Sequence, residues 1–476
     1  ASDVYKRQTE RKLSDTALIR RLLKDYMLRH KSLVFTVGLL ISVKTLLALI
    51  GPLIYKVTID HLISGNPTAS GGWLADIIRS IALTMGGGNP PSTWTILLSA
   101  GLLYILSGML LWTAMSLQEY YTNKLALTVI ADIRSDFFHH LQDLSQSFFE
   151  YGNTGKLVSR VTNDAETLRS LVSSGIISVA ADLVTVIAIL LTMFLLNAQL
   201  ATVVVMIIPV LTLVSWMLRN RVRNMWRIAR QNIASMTGKV QDLMYGVKVT
   251  KAMSQEDRSL MEFDSVNEAN MRAQIRAEIM ANIFDATTAF FSAFVSALIW
   301  FVGGQQVIAL AQTLGDLIAF TQYSTSLLQP IERISSFYGE IQSALAGAER
   351  IFTVMDVEPE IKEAKDAVKF PESNGILEFS TVSFSYSKDQ PVLKDVSFRT
   401  NPGERLAIFG PTGAGKSSIV NLIGRFYDPD GGHVSIDGVD LKKVKMQSLR
   451  ERISIVLQEP YLFSGTIRYN LSLIHI

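Results

Sequence analysis

The chain has 476 residues, of which 49% are hydrophobic and only 18% are charged, and its formal net charge is +3. Soluble proteins carry about 25% charged residues, so this composition argues against an ordinary soluble protein. The absence of cysteine excludes disulfides and thiolate metal sites.

Six apolar runs, each near the length of about 20 residues that crosses a bilayer, occupy the first two thirds of the chain. They predict membrane spans at Leu33–Tyr55, Trp94–Leu117, Leu171–Leu196, Leu200–Leu218, Ile283–Val307 and Leu314–Ser336. The sixth is interrupted by Asp316, Gln322 and Gln329. It is included because of the other five and of the resemblance described below.

Lysine and arginine are distributed unevenly among the connections. Residues 1–32 carry nine, the connection at 60–92 carries one, Arg79, and residues 219–282 carry eleven. Because positive charge is retained on the cytoplasmic side, the N-terminus, the long loops 118–170 and 219–282 and the C-terminal region are predicted to be cytoplasmic. Both long loops show helical spacing and are predicted to turn back, one at Gly152–Gly155 and the other near Gly246.

The pattern changes near residue 350. A polar linker is predicted at 351–374, followed by strands at Ile376–Tyr386, Val392–Arg399, Arg405–Phe409, His433–Ile436 and Ile453–Leu457 and a helix at Met446–Arg452. A mixed α/β domain with a parallel core is expected from the strand–loop–helix unit at 405–425.

Within that unit, Gly410–Ser417 matches the phosphate-loop pattern G-x-x-x-x-G-K-[ST]. Glycines let backbone N–H groups converge on a phosphate at a helix N-terminus. Lys416 is expected to reach the terminal phosphates, and the Ser417 hydroxyl to ligate Mg²⁺. The alternative is a glycine-rich turn with an incidental lysine. The pattern predicts binding of ATP together with Mg²⁺.

Several strings together resemble an ATP-binding cassette exporter of the half-transporter type, such as the bacterial multidrug and lipid-flipping transporters. Besides the phosphate loop and the spans, they are Phe148-Phe149, Gly155–Asp164, Gly347–Phe352, Val382–Tyr386, Val456–Pro460 and Leu462–Ile467. The resemblance covers about residues 17–470. It implies a six-helix membrane domain at 17–350, the linker at 351–374 and the first part of a P-loop domain at 375–476, with 1–16 non-native or disordered.

The resemblance also implies roles for individual residues. Tyr386 would stack on adenine, although a strand aromatic in a core is the alternative. Gln458 would approach Mg²⁺ and the attacking water, or would be only a polar residue at a strand end. The phosphates would be held by Thr412, Gly413, Ala414, Gly415, Lys416, Ser417 and Ser418.

The implied protein is an ATP-hydrolysing exporter in the bacterial inner membrane, moving amphipathic compounds or lipids outward by alternating access. Its expected partners are a second subunit, identical or different, the bilayer and a hydrophobic or amphipathic substrate. No nucleic-acid partner is predicted, because the basic residues flank the spans instead of forming one patch. The alternatives are a membrane-tethered ATP-binding regulator without transport and an importer permease fused to its ATPase.

The printed sequence departs from the family pattern near its end. A signature loop, a strand ending in Asp-Glu and a switch histidine do not follow Gln458. Both ends, Ala1–Gln8 and Ser472–Ile476, have no counterpart in the family pattern. We therefore expect a C-terminally truncated chain that binds ATP without hydrolysing it at a useful rate.

Charges inside predicted spans are candidates for function. They are Lys44, Asp182 and Asp285, with Glu332 near the sixth span. The alternative is that they lie at cytoplasmic span ends or in a water-filled vestibule. The aromatic residues Phe290, Phe291, Phe294, Trp300 and Phe301 either line a cavity or form a packing surface.

Overall fold

The computed structural model describes residues 14–63, 72–85, 92–151, 154–387, 390–456, 458 and 461–472. Of the turn predicted at Gly152–Gly155, Gly152 and Asn153 lie outside these residues, and Thr154 and Gly155 begin the helix Thr154–Ser159. The terminal strings Ala1–Gln8 and Ser472–Ile476 lie outside them except for Ser472. Contacts divide the chain into two units. Unit 1 contains 133–165 and 348–476, and unit 2, the membrane unit, contains 15–132 and 166–347.

Long helices dominate the chain. We label them α1 to α6 in order: Lys31–Val57, Thr93–Asp143, Ser178–Leu196, Ala198–Tyr245, Glu256–Ile308 and Leu314–Met355. Shorter helical segments are Asp15–Arg21, Leu22–Tyr26, Met27–His30, Thr58–Ile63, Gly72–Met85, Gln146–Tyr151, Thr154–Ser159, Arg160–Asp164, Ala165–Ser170, Leu171–Ile177 and Val247–Ala252.

Within the described residues, five helical stretches are long and apolar enough to cross a membrane, and they contain the first five predicted spans. The sixth predicted span lies within the helix α6 but is not among the five. Its polar side chains lower its hydropathy, so its crossing stays a prediction. The predicted helical extension of the spans is confirmed, since α2 alone has 51 residues and is about 75 Å long.

Helices α4 and α5 form a long hairpin. Its turn begins at Gly246, where α4 ends, as predicted. At one end, residues of α3 to α6 form a shared core around Leu200, Ile299 and Phe320. Further along the pair, the buried contacts are made by small residues, among them Ala229 and Ala277. Small side chains allow two helix backbones to approach closely.

A buried ion cluster joins the C-terminal end of α1 to the start of α6. Lys56 Nζ lies 3.0 Å from Asp60 Oδ2 and 2.7 Å from Asp316 Oδ1, and both Lys56 and Asp60 are 1% exposed. Thr313 Oγ1 lies 2.6 Å from Asp60 Oδ2 and 2.8 Å from Asp316 Oδ2, and its one hydroxyl proton can be donated to either carboxylate. The Gly315 N–H donates to Asp60 Oδ1 at 3.0 Å. Asp60 therefore caps a free N–H in the first turn of α6.

The close approach at this cluster requires glycine at position 315. A Cβ there would lie 2.6 Å from both Asp60 Oδ1 and the Lys56 carbonyl oxygen. Gly304, in the last turns of α5, has nothing within 4 Å of the equivalent position.

We expect Gly315→Ala to destabilise the membrane unit by about 1–3 kcal/mol, the usual cost of overpacking a tight site. Gly304→Ala is the matched control and should change stability little or slightly raise it. The measurement is reversible unfolding in mixed micelles. Equal effects of the two substitutions would contradict the packing argument.

The C-terminal part of unit 1 contains a four-stranded sheet. Its strands are β1 Leu377–Ser387, β2 Gln390–Arg399, β3 Gly431–Ile436 and β4 Val439–Asp440, in the order β2-β1-β3-β4. All three pairings are antiparallel. A core around Phe379, Val382 and Leu422 lies beneath the sheet. The helices on this part are Lys416–Ile423 (α7), Leu441–Lys443, Met446–Arg450 and Ile467–Ser472.

The expected parallel core is wrong for the described residues. Residues 405–409 and 453–456 form no strand there, and only the isolated bridge between Val368 and Val444 is parallel. Phe409 is 91% and Val456 97% exposed. Parallel strands are stable only when paired and covered on both faces. These two runs have no such partners among the described residues.

Asp437 ties the linker to the end of the sheet. Its Oδ2 accepts from Ser373 Oγ at 2.5 Å and the Asn374 N–H at 2.8 Å, and Oδ1 accepts from the Ile376 N–H at 3.0 Å. The Ser373 hydrogen bond, with those from the backbone, lowers the pKa of the Asp437 carboxyl. The charged form is therefore stabilised in the folded state.

A carboxyl whose folded pKa is lowered contributes stability above its unfolded pKa, about 3.9, and loses that contribution as the pH falls through the folded value. Asp437→Asn should therefore lower the unfolding midpoint at pH 7, with a smaller difference near pH 3. Asp440→Asn, which keeps an Oδ1 acceptor for the Lys442 N–H, is the matched control and should change the midpoint little. A difference for Asp437→Asn that is constant with pH would disprove the charge effect.

Candidate phosphate-binding site

The loop Gly410–Lys416 precedes α7 and has the backbone that its glycines permit. Gly413 and Gly415 both have φ of +87°, a left-handed conformation that only glycine adopts readily. A Cβ at Gly415 would also lie 2.7 Å from Leu393 Cδ2. Glycine at position 415 is therefore required both by the backbone angle and by contact with β2.

The Lys416 side chain folds back over the loop. Its Nζ donates to the carbonyl oxygens of Gly410 and Pro411, each at 2.8 Å. Within the described residues no carboxylate pairs with this ammonium group. An uncompensated cation beside a glycine-rich turn and a helix N-terminus is suited to an anion. The residues present therefore fit a phosphate group.

Tyr386 at the end of β1 lies beside α7. Its hydroxyl accepts from Ser418 Oγ at 3.1 Å and from Asn421 Nδ2 at 3.2 Å. Its ring meets Phe384 and Tyr427 edge to face, at 4.8 and 5.1 Å between centroids. The structure thus brings Tyr386 and Ser418 together. The ring contacts also agree with the alternative of a core aromatic, and adenine stacking stays a prediction.

Gln458 is exposed, and among the described residues it forms no hydrogen bond with Gly410–Ser418. Its neighbours Leu457, Glu459 and Pro460 lie outside the described residues. The predicted strand before it, like that before the phosphate loop, is not formed. The catalytic role of Gln458 is therefore untested by this geometry.

The donor set near the loop is compatible with Mg²⁺. No group of three acidic or histidine side chains suited to a metal occurs among the described residues. Magnesium at a nucleotide site uses phosphate and water oxygens with one or two protein ligands, so such a group is not needed. Ser417, in the first turn of α7, stays the predicted protein ligand.

The sequence reasoning did not identify a pair that joins two of the quoted strings. Arg350 Nε donates to Asp164 Oδ2 at 2.9 Å, and Arg350 Nη2 donates to Asp164 Oδ1 at 2.6 Å. These hydrogen bonds raise the pKa of Arg350. Ser147 in the same long loop donates to Glu360 in the linker at 2.5 Å. The sequence contained one relevant signal, an acidic residue in one string and a basic residue in the other. Their separation along the chain does not show that they meet in the fold.

The charged residues in the spans have different surroundings. Asp182 is buried and receives two hydrogen bonds from Arg333, at 2.8 and 2.6 Å. Lys44 donates to Gln118 at 3.1 Å. Asp285 is exposed, and the side chain of Glu332 lies outside the described residues.

The aromatic stripe of α5 is largely exposed within the membrane unit. Phe290 and Phe301 are each 65% exposed, and Phe290 stacks on Phe294 with 6.3 Å between ring centroids. Such an exposed surface can contact lipid or a partner helix, or line a cavity. No substrate site is therefore assigned to these aromatic residues.

Two protein families match this chain. The family described as the ABC transporter transmembrane region matches residues 34–331, and the family described as ABC transporter matches residues 393–471. The first match covers the helices α1 to α5 and the start of α6. The second covers the phosphate loop.

Similar curated proteins carry related descriptions. The uncharacterized ABC transporter ATP-binding protein YfiC of Bacillus subtilis is 30% identical over 97% of this chain and 72% of its own length. The putative multidrug export ATP-binding/permease protein YgaD of the same organism is 28% identical over 93% of this chain and 73% of its own length. The ATP-dependent lipid A-core flippase of Syntrophus aciditrophicus is 31% identical over 72% of this chain.

The chain spans only part of the length of its relatives. It covers 57% of the flippase and 62% of the uncharacterized ABC transporter ATP-binding protein YknV of Bacillus subtilis, which is 33% identical over 78% of this chain.

Proposed function

Since this chain belongs to the ABC transporter family, we propose that it is a subunit of an ATP-driven exporter of lipids or amphipathic compounds. One observation supports this most: a phosphate loop with left-handed glycines and an unpaired lysine lies on the same chain as five helices apolar enough to cross a membrane. The names of two relatives, a lipid A-core flippase and a putative multidrug exporter, agree with such a substrate class.

The phosphate loop would bind ATP through its own groups. The backbone of Thr412 and the N–H groups of Gly413 to Lys416, which include Ala414, would face the phosphates. The Lys416 ammonium group would donate to phosphate oxygens instead of the carbonyl oxygens of Gly410 and Pro411. The Ser417 hydroxyl would hold Mg²⁺, which would supply positive charge to the phosphates. Ser418 would contact the α-phosphate, and Tyr386 the adenine.

The contacts within unit 1 suggest how nucleotide capture reaches the membrane helices. Asp164 belongs to the first long loop, and Arg350 to the end of α6. Their two hydrogen bonds fix the loop to the helix that leads into the linker. A rigid connection of this kind lets two states of the ATP-binding domain select two states of the helices. Gln458 would report the state of the nucleotide in the complete site.

We place the protein in the bacterial inner membrane, with both long loops on the cytoplasmic side. The uneven distribution of lysine and arginine supports this orientation. An ATP-binding domain also needs the cytoplasmic pool of nucleotide. The working unit would contain a second subunit, identical or different, facing this one.

We expect Lys416→Ala to weaken ATP binding at least about tenfold, because charge-assisted hydrogen bonds of the lysine to phosphate are lost. The control is Lys394→Ala, an exposed lysine on β2, which should bind normally. Binding is measured with a fluorescent ATP analogue on the purified protein. Unchanged binding by Lys416→Ala would overturn the assignment of the loop.

Substitutions of Tyr386 distinguish a role in adenine stacking from a role in core packing. Tyr386→Phe keeps the ring and should bind ATP within about threefold of wild type, whereas Tyr386→Leu should weaken binding about tenfold, since stacking on a base contributes about 1–3 kcal/mol. Tyr461→Leu, at an exposed tyrosine, is the control. Normal ATP binding by a folded Tyr386→Leu protein would show that the ring serves only the core.

Export itself is tested in inverted membrane vesicles that contain the protein. With the chain extended by the signature loop and the Asp-Glu strand of the family pattern, ATP should drive accumulation of a fluorescent lipid or amphipathic dye, and Lys416→Ala should abolish it. ATP binding without accumulation of any such compound would favour the regulator over the pump.

A further inference from the structure

A large cavity lies between α1 and α2 in the membrane unit. Its volume is about 870 Å³, within the range of about 300–1,000 Å³ of small-molecule sites. Its wall on α2 extends from Trp112 to Thr128, about 24 Å along the helix. Lys44 of α1 also lines it. The space is long enough for a molecule with two chemically different parts.

The two ends of the cavity differ in polarity. Trp112 and Met115 line one end and are exposed. They lie within the predicted span that ends at Leu117. Gln118 and Lys124 line the part beyond this limit. The cavity therefore crosses the boundary between the apolar layer and the polar interface.

Lys44 lacks a direct counter-ion. Its Nζ donates to the neutral amide of Gln118 at 3.1 Å. Asp182 is occupied by Arg333. Glu119, which also lines the cavity, accepts from Asn123 Nδ2 at 2.8 Å. These acids act on Lys44 only through space, and the charge of Arg333 opposes them.

The balance of charge in the cavity wall is positive. Lys44 and Lys124 contribute two positive charges against the single negative charge of Glu119. Among the described residues neither lysine forms an ion pair. A half-buried ammonium group at membrane depth is costly unless an anion joins it. The wall thus combines lysines that form no ion pair among the described residues with an adjoining apolar surface.

We propose that this cavity binds an anionic amphiphile from the bilayer. The carboxylate or phosphate of the ligand lies on Lys44 and Lys124, and its acyl chain lies along Trp112 and Met115. This proposal rests on the proposed export function. It identifies the exported compounds as lipids with a negatively charged headgroup, in preference to neutral compounds.

Fluorescence of Trp112 provides the test. The purified chain, without nucleotide, is titrated with phosphatidylglycerol or phosphatidylcholine brominated on the acyl chains, since bromine quenches a tryptophan that it contacts. Subtracting the signal of Trp112→Phe isolates this residue from the other five tryptophans. We expect half-maximal quenching by the anionic lipid at a concentration at least about fivefold lower than by the zwitterionic lipid.

Lys44→Gln should abolish this preference for the anionic lipid, and Lys44→Arg should retain it. This pair of results would show that the preference depends on the positive charge and not on an altered fold of the variant. Lys31→Gln is the matched control, because Lys31 is an exposed lysine at the start of the same helix. It should behave as wild type.

Three outcomes overturn the proposal. Equal quenching by both lipids indicates ordinary boundary lipid, and a preference that survives Lys44→Gln places the anion elsewhere. Protection of Trp112 from both lipids indicates that a helix of a second copy covers the cavity. Because no nucleotide is present, a protein that passes this test but does not accumulate substrate in vesicles contradicts only the export function.

Discussion

A single buried ammonium group joins the ends of the first and sixth long helices. Lys56 lies between Asp60 and Asp316, and the Gly315 N–H binds the same Asp60. Removing one partner from a buried pair typically costs about 3–5 kcal/mol. This anchor fixes the start of α6, a helix that is continuous from Leu314 to Met355, to the end of α1.

The same helix carries two more ion pairs at successive levels. Arg333 binds Asp182 of α3, and Arg350 binds Asp164 of the first long loop. The first of these pairs lies within unit 2 and the second within unit 1.

The phosphate loop shows how much of a site is local. Gly413 and Gly415 adopt left-handed backbone angles and Lys416 folds back over the loop, although residues 405–409 form no strand within the described part of the chain. The loop is set by glycine conformations and by the contact of Gly415 with Leu393. Gln458 has no such local constraint, and its position depends on strand pairing that the described residues do not contain.

The sequence by itself determined the five apolar helices, the break at Gly246 and the phosphate loop, because hydrophobic periodicity and glycine conformation act over short distances. Only the tertiary structure decided that the sheet is antiparallel, that Asp182 pairs with Arg333 and Asp164 with Arg350, and that Lys44 faces a cavity. These partners lie tens to hundreds of residues apart. Their meeting depends on how whole helices and strands pack, which no local pattern records.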